Sequence, residues 1–256
     1  MLFVADIGNT NINIGIFDVD RLSCVARLSS DHSKTGDQFA LELKGISELK
    51  GFNICDVKGA VISSVVPEIT SAFRSAVIEL TGVEPLILGP GVKSGLHIKI
   101  DNPAQLGADL VAGAVGAIEK YKLPCLIIDL GTATKISVID KNGAFLGCTI
   151  SAGIGISLKA LSGSASLLPA VELSAKDCPA FGTNTVASIQ AGTILGTAAM
   201  IDGLCDRIEE KLGEKVNSVV ATGGFADSIV KCCKRDIIKS PDLLLYGLRS
   251  IYLRNQ

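Results

Sequence analysis

Two short segments place a carboxylate at the end of an apolar run and follow it with a turn of small polar residues. They are Asp6-Ile7-Gly8-Asn9-Thr10-Asn11, continuing through Ile12 and Asn13, and Asp129-Leu130-Gly131-Thr132-Ala133-Thr134. A strand-terminal aspartate can hold a hydrated cation, and the N–H groups of such a turn can cradle phosphate oxygens. Taken singly, either segment reads equally well as an ordinary Asn/Gly hairpin. As a pair, about half a chain length apart, they make a phosphate clamp the better reading. Val220-Ala221-Thr222-Gly223-Gly224 adds a weaker third signal, a strand running into a turn against which a base and ribose could lie. There is no Gly-x-x-x-x-Gly-Lys-Ser/Thr, which excludes a P-loop. Gly153-x-Gly155 does not continue into a dinucleotide fingerprint, because Leu158 stands at the third glycine position. His32 and His97 are the only histidines, too few for a histidine triad or a His-rich metal site.

The elements that must position these residues repeat along the chain. Segment 4–18 resembles segment 127–140: an apolar strand ending in aspartate, a Gly-containing turn, and a second alternating strand closing on another aspartate. Duplication of this kind predicts two similar αβ lobes, residues 1–118 and 119–256, with a ligand between them. Thr35 and Gln38 predict a capping box ahead of a helix that faces inward through Phe39, Leu43 and Ile46. Residues 57–66 read as a strand. Pro67 opens a helix carrying Ile69, Phe73, Val77 and Leu80, and Gly82 stops it. Asn102, Pro103 and Gln105 predict the start of a helix through about Tyr121, which would carry Asp109 two turns in. In the second half, strands are expected at 125–129, 133–139 and 144–150, then a helix from about 155. A long loop at 163–183, one or two helices over 184–213, a strand at 217–224 and a further helix complete the pattern.

The chain has 256 residues, of which 48% are hydrophobic and 20% charged, with a formal net charge of −2. This balance argues against a nucleic-acid or anionic-membrane partner. The mean hydropathy of +0.44 points to a buried sheet, since no long uncharged apolar stretch accompanies it. The N-terminus has no basic region before an uninterrupted apolar run, so no secretory signal is read. Eight scattered cysteines (24, 55, 125, 148, 178, 205, 232 and 233) form no Cys-x-x-Cys and read as buried reduced thiols of a cytoplasmic protein. Cys232 and Cys233 are expected on different faces of a helix.

Several motifs occur in an order that resembles the type III pantothenate kinases, members of the actin, sugar-kinase and Hsp70 ATPase superfamily. They are DIGNTN (6–11), GPGVKSGL (89–96), DNPAQLGAD (101–109), IDLGTAT (128–134), the run from Gly147 to LLP (167–169), NTVASIQAG (184–192) and ATGG (221–224). The resemblance implies an α/β fold of two actin-like, ribonuclease H-like lobes with mixed sheets flanked by helices and the nucleotide in the cleft between them. It implies phosphorylation of pantothenate by ATP with Mg²⁺, the first step of coenzyme A synthesis, a monovalent cation (K⁺ or NH₄⁺), and a homodimer. Carried over position by position, Asp109 is the general base. Asp6 organises Mg²⁺ and the phosphates, together with Ile7, Gly8, Asn9, Thr10, Asn11, Ile12, Asn13 and Thr132. Asp129 is the monovalent-cation ligand. Ile100, Gly107, Ala108, Leu110 and Thr185 lie near pantothenate, although Thr185 reads equally well as a helix N-cap.

The sequence also departs from that pattern. Leu110 stands where the family has arginine, and Ile100 where it has tyrosine. Cys148 and Ala152 replace a glycine and a proline, and Lys135 replaces a threonine. Lys135 has two readings: the more ordinary lysine on the solvent face of a strand, or a cation that takes over the role of the missing arginine. Two other functions are weighed, a small sugar kinase of the same superfamily and a non-catalytic nucleotide-binding regulator. Gly192-x-x-x-Gly196 predicts a close helix approach, within the chain or in a dimer.

Overall fold

The computed structural model describes residues 1–173 and 180–256. Cys178 and part of the expected 163–183 loop lie outside them. The chain divides into two compact units, one of residues 1–96, 101–119 and 243–256, the other of 97–100 and 120–242.

In the first unit, β1 (Leu2–Ile7), β2 (Asn11–Asp18), β3 (Arg21–Ser29), β4 (Gly59–Ser64) and β5 (Leu86–Ile87) form a sheet in the order β3-β2-β1-β4-β5. The first three are antiparallel, whereas β4 joins β1, and β5 joins β4, in parallel. Strand alternation sends Phe3, Ala5, Ile7, Ile12, Ile14 and Ile16 to one face. There they pack on Phe39 and Leu43 of α1 (Gly36–Lys50) and on Ile69, Phe73 and Val77 of α2 (Pro67–Thr81). Both helices start and stop as the residues dictate. Thr35 and Gln38 form the capping box, Pro67 opens α2, and Gly51 and Gly82 close the two helices in the left-handed conformation.

The helix expected from Pro103 is not continuous. Pro103–Gln105 is a single 3-10 turn capped by Asn102, Leu106 is extended, and α3 (Ala108–Lys120) begins afresh. Asp109 therefore lies in the first turn of its helix, not two turns in. The Asn-Pro cap signal is real, but it starts only the short turn.

The second unit repeats the first. β6 (His97–Ile98), β7 (Cys125–Leu130), β8 (Ala133–Ile139), β9 (Ala144–Ala152), β10 (Ser218–Thr222) and β11 (Ile238–Lys239) run in the order β11-β10-β7-β8-β9-β6. Apart from the extra edge strand β6, the order and strand directions match those of the first sheet. Leu126, Ile128, Leu130, Ile136, Val219 and Ala221 pack on α4 (Ile154–Ser164), on the single 28-residue helix α5 (Thr185–Leu212) and on α6 (Ala226–Ile229). Cys205 and Cys233 belong to this packing, and burial pushes their thiols up to about 11 and about 12, so both stay protonated. Cys232 ends a 3-10 turn and Cys233 follows it, and both are half-buried against this core.

The last helix, α7 (Leu243–Leu253), belongs to the first unit, whereas the sequence reading places it in the second lobe. The reason is packing. Leu243, Leu245, Leu248 and Ile251 are buried, a Cβ on Gly15 of β2 would meet Leu245, and Phe17 meets Tyr246 edge-on at 5.2 Å. Gly247 lies so close to α3 that a Cβ there would fall 1.8 Å from the Ala112 carbonyl oxygen. The face of the first sheet left bare by α1 and α2 is covered by the end of the chain.

The C-terminal part of α5 is held by ions. Glu209, 5% exposed, accepts from Lys215 at 2.7 Å, from Arg235 at 3.1 Å and from the Val216 N–H at 3.2 Å. Burial alone would raise this carboxyl, but the bonds from Arg235, Lys215 and Val216 outweigh it and hold the group at about 2, below its ordinary 4.5. A depressed carboxylate stabilises the fold above its unfolded value and loses that contribution as pH falls through the folded one. Urea unfolding should show an acid destabilisation between about pH 4.5 and about pH 2 that is smaller in Glu209→Gln by on the order of 3 kcal/mol. Equal slopes in the two proteins would show that the cluster does not hold the charge.

Candidate active site

At the end of β1, residues 8–11 turn tightly, with the Gly8 N–H donating to the Asn11 carbonyl at 3.0 Å. A Cβ on Gly8 would lie 3.2 Å from that oxygen, which favours glycine. Ser30, just beyond β3, ties the turn down: its hydroxyl donates to the Gly8 carbonyl at 2.5 Å and its N–H to the Thr10 carbonyl at 3.0 Å. Asp6 is 6% exposed and is in register with Asn13 on β2 and Ser63 on β4, so the three side chains share one face of the sheet. The Asn13 Oδ1 accepts from Arg27 Nε at 3.0 Å. The buried Ser63 hydroxyl has no hydrogen-bond partner among the described residues. A carboxylate beside neutral oxygen donors with spare capacity fits a hard divalent cation such as Mg²⁺.

The segment preceding α3 meets the same strand end. The Val65 N–H donates to the Ile7 carbonyl at 3.1 Å, and Val65 lies 3.9 Å from where a Gly107 Cβ would be. That hypothetical Cβ would also lie 2.5 Å from Asp109 Oδ1. The Asp109 carboxylate therefore folds back over Gly107, with Oδ1 accepting from the Leu110 N–H at 2.8 Å. Only glycine leaves room for that orientation.

The second hairpin copies the first in backbone and differs in charge. The Gly131 N–H donates to the Ala133 carbonyl at 3.2 Å. Asp129 is in register with Lys135 on β8 and Thr222 on β10, and the Lys135 ammonium lies 2.8 Å from Asp129 Oδ2. Their side chains are only 14% and 22% exposed, so Lys135 is not on the solvent face. Two further backbone segments press on this turn. A Cβ on Gly153, the residue before α4, would lie 2.1 Å from the Thr132 carbonyl oxygen. One on Gly223, whose φ is +95°, would lie within 2.7 Å of Leu130 backbone atoms. The N-cap of α4 is Gly153, which has no side chain to accept from the first N–H groups of the helix, and this helix start lies beside the 131–132 turn.

Other expected site residues are placed differently. Ile7 and Ile12 are fully buried in the first core, so either could reach a ligand only through its main chain. Gly107, Ala108, Asp109 and Leu110 belong to the first unit, Ile100 and Thr185 to the second. Ile100 follows the edge strand β6 and is half-buried, as is Leu110. The N-cap of α5 is Asn184, whose side chain accepts from the Ala187 N–H at 2.9 Å, and not Thr185. Thr185 is exposed and lines a pocket of about 630 Å³ with Leu161, Asn184, Ser188 and Ile189. Sequence reasoning missed Ser30, which no motif marks. It also passed over Gly153, whose signal was dismissed with the dinucleotide fingerprint.

The family model for type III pantothenate kinase matches residues 2–207. The type III pantothenate kinases of Shouchella clausii and Moorella thermoacetica are 41% and 40% identical, each over 100% of both chains. Among solved structures, the activator of 2-hydroxyisocaproyl-CoA dehydratase from Clostridium difficile, with bound ADPNP, aligns with a TM-score of 0.57 at 17% identity, over 99% of this chain and 93% of that one. Component A of the Acidaminococcus fermentans (R)-2-hydroxyglutaryl-CoA dehydratase aligns with a TM-score of 0.56 at 15% identity, over 99% and 97%. At such identities these two speak for the fold, that of the actin-like ATPases. Full-length identity near 40% and the matching family model speak for more: the chain belongs to the type III pantothenate kinases.

Proposed function

We propose that Asp109 is the general base of this kinase, with Asp6 and the 8–11 turn holding Mg²⁺ and the ATP phosphates. Membership of the family makes the reaction phosphoryl transfer from ATP to pantothenate, in coenzyme A biosynthesis. The observation that carries the assignment of Asp109 is the Gly107-Ala108-Asp109 corner, where absence of a side chain at 107 sets the carboxylate's direction. A carboxylate so held can accept the proton of the pantothenate primary hydroxyl as that oxygen approaches the γ-phosphorus. Mg²⁺, when bound with ATP, offsets charge on the phosphates. The hairpin N–H groups and the uncapped start of α4 suit phosphate oxygens, and fixed dipoles of this kind need no reorganisation during reaction. The Lys135 ammonium, already on Asp129, competes with the monovalent cation that the resemblance implies there.

For the homodimer, support comes from α5. No atom lies within 4 Å of where a Cβ would stand on Gly192, Gly196 or Gly203, so these glycines do not serve packing within the described chain. Helix spacing puts them on one side, a surface suited to close approach by a second copy. Gly196→Leu should lower the mass measured by light scattering from dimer to monomer. A dimer unchanged in that variant would remove α5 from the interface.

Coupled ADP-release assays with pantothenate and a panel of hexoses test the substrate, and turnover with a hexose alone would overturn the assignment. Asp109→Asn should retain ATP binding by calorimetry while kcat falls on the order of 10²–10⁴-fold. Lost ATP affinity with single-turnover chemistry intact would make Asp109 a nucleotide-binding residue. Gly107→Ala should displace the same carboxylate, lowering kcat by on the order of 10²-fold with little change in Tm. Wild-type kcat in Gly107→Ala would show that the folded-back orientation is not the reactive one.

A further inference from the structure

We infer that this chain carries its own monovalent cation: the Lys135 ammonium serves at Asp129 in place of K⁺ or NH₄⁺, so that phosphoryl transfer is independent of monovalent salt. The inference rests on the kinase reading above and changes one of its implied cofactors.

The geometry is specific. Lys135 is the direct cross-strand neighbour of Asp129 in the β7–β8 hairpin, and Nζ lies 2.8 Å from Oδ2 with both side chains largely shielded from water. On a pleated surface, register neighbours project to the same side, so the pairing follows from the hairpin itself and needs no distant element to maintain it. The repeat supplies an internal control. Asp6 occupies the same place in the first hairpin, and its cross-strand neighbour is Asn13, a neutral amide. The fold thus accommodates a neutral residue at the position cross-strand from a strand-terminal aspartate, and Lys135 is a feature of this hairpin rather than a requirement of the topology.

The chemistry fits a substitution. A lysine ammonium is a compact single positive charge with three donors, equal in charge to K⁺ and of the same chemical type as NH₄⁺. It satisfies the carboxylate of a shielded strand end, where an uncompensated charge would be costly. It also supplies a fixed positive charge on the hairpin whose Gly131–Thr132 turn meets Gly153 at the start of α4. A second cation on the same carboxylate would lie a few ångströms from the ammonium and be repelled. Its affinity should fall roughly 100-fold relative to a hairpin without the lysine.

The test compares the wild type with Lys135→Thr, a substitution suited to a strand, by two independent readouts. In the first, Tl⁺, a spectroscopic stand-in for K⁺, is titrated by ²⁰⁵Tl NMR in chloride-free buffer. Lys135→Thr should bind Tl⁺ at least roughly 100-fold more tightly than wild type. Equal affinity in the two proteins, or no binding by either, overturns the inference. In the second, turnover of pantothenate by wild type should be the same in choline as in potassium salts. Lys135→Thr should lose on the order of 10²-fold in choline and recover in K⁺ or NH₄⁺. Strong K⁺ activation of the wild type, or a folded variant (by its Tm) that stays inactive in every salt, also overturns it. If wild type turns over no pantothenate in any salt, the kinase reading fails, and the Tl⁺ titration still decides the cation question.

Discussion

Each central strand carries a carboxylate one residue from its end, at the rim of an apolar sheet, and how that charge is met governs the chemistry open to each hairpin. β1 and β7 are buried along most of their length and carry Asp6 and Asp129 at their penultimate positions. A carboxylate withdrawn from water is tolerated only with hydrogen bonds or an opposite charge nearby. The two hairpins share strand order and turn geometry, yet differ in the residue facing the aspartate: Asn13 in one, Lys135 in the other. One backbone plan thereby yields a corner that suits a divalent ion with phosphates and another whose charge is already balanced.

A second constraint is how closely backbone must approach backbone around those turns. Gly107, Gly153 and Gly223 each stand where a single added carbon would collide, with a carboxylate oxygen at Gly107 and with main chain at the other two. The glycines do not loosen the site. In the second unit Gly153 and Gly223 let neighbouring backbone reach the 130–132 turn, and in the first Gly107 leaves room for the Asp109 carboxylate, so each polar group is fixed within its own unit, a precondition for fixed electrostatics in catalysis. The same logic fixes α3 through Gly116 and Gly247, where α7 crosses it without intervening side chains. The helix that begins at the proposed base is therefore held by the C-terminal end of the chain.

This distribution explains what could be read from the residues alone. Local signals were legible because their physics is local: the Thr35–Gln38 box, Pro67 at the start of α2, Gly82 at its end, and the alternation of β1, β2, β7 and β8. The repeat of Asp-x-Gly turns was legible for the same reason, and it announced the duplicated sheet. The grouping of α7 with the first unit was not, since it depends on which sheet face lacks a cover, a tertiary fact. The early start expected for α3 failed because Asn-Pro capping looks alike before a 3-10 turn and before a long helix. The partner of Lys135 depended on register. Position 135 alternates correctly for either face of a strand, and only the pairing of β7 with β8 puts its ammonium on Asp129.

Covalent attachment also changes what such a cation can do. A diffusible ion occupies its site only in proportion to its concentration over its dissociation constant, and its charge leaves when it does. A lysine on the neighbouring strand is present at an effective concentration set by the hairpin, independent of bulk salt. The cost is geometric: K⁺ gathers several oxygen ligands at once, whereas an ammonium directs three N–H bonds from a side chain anchored on one side. A tethered cation should therefore supply charge well and position several ligands poorly. In a hairpin whose turn is already braced by Gly153 and Gly223 against its backbone, little positioning is left for an ion to do, and charge is the part of its role that a lysine can replace.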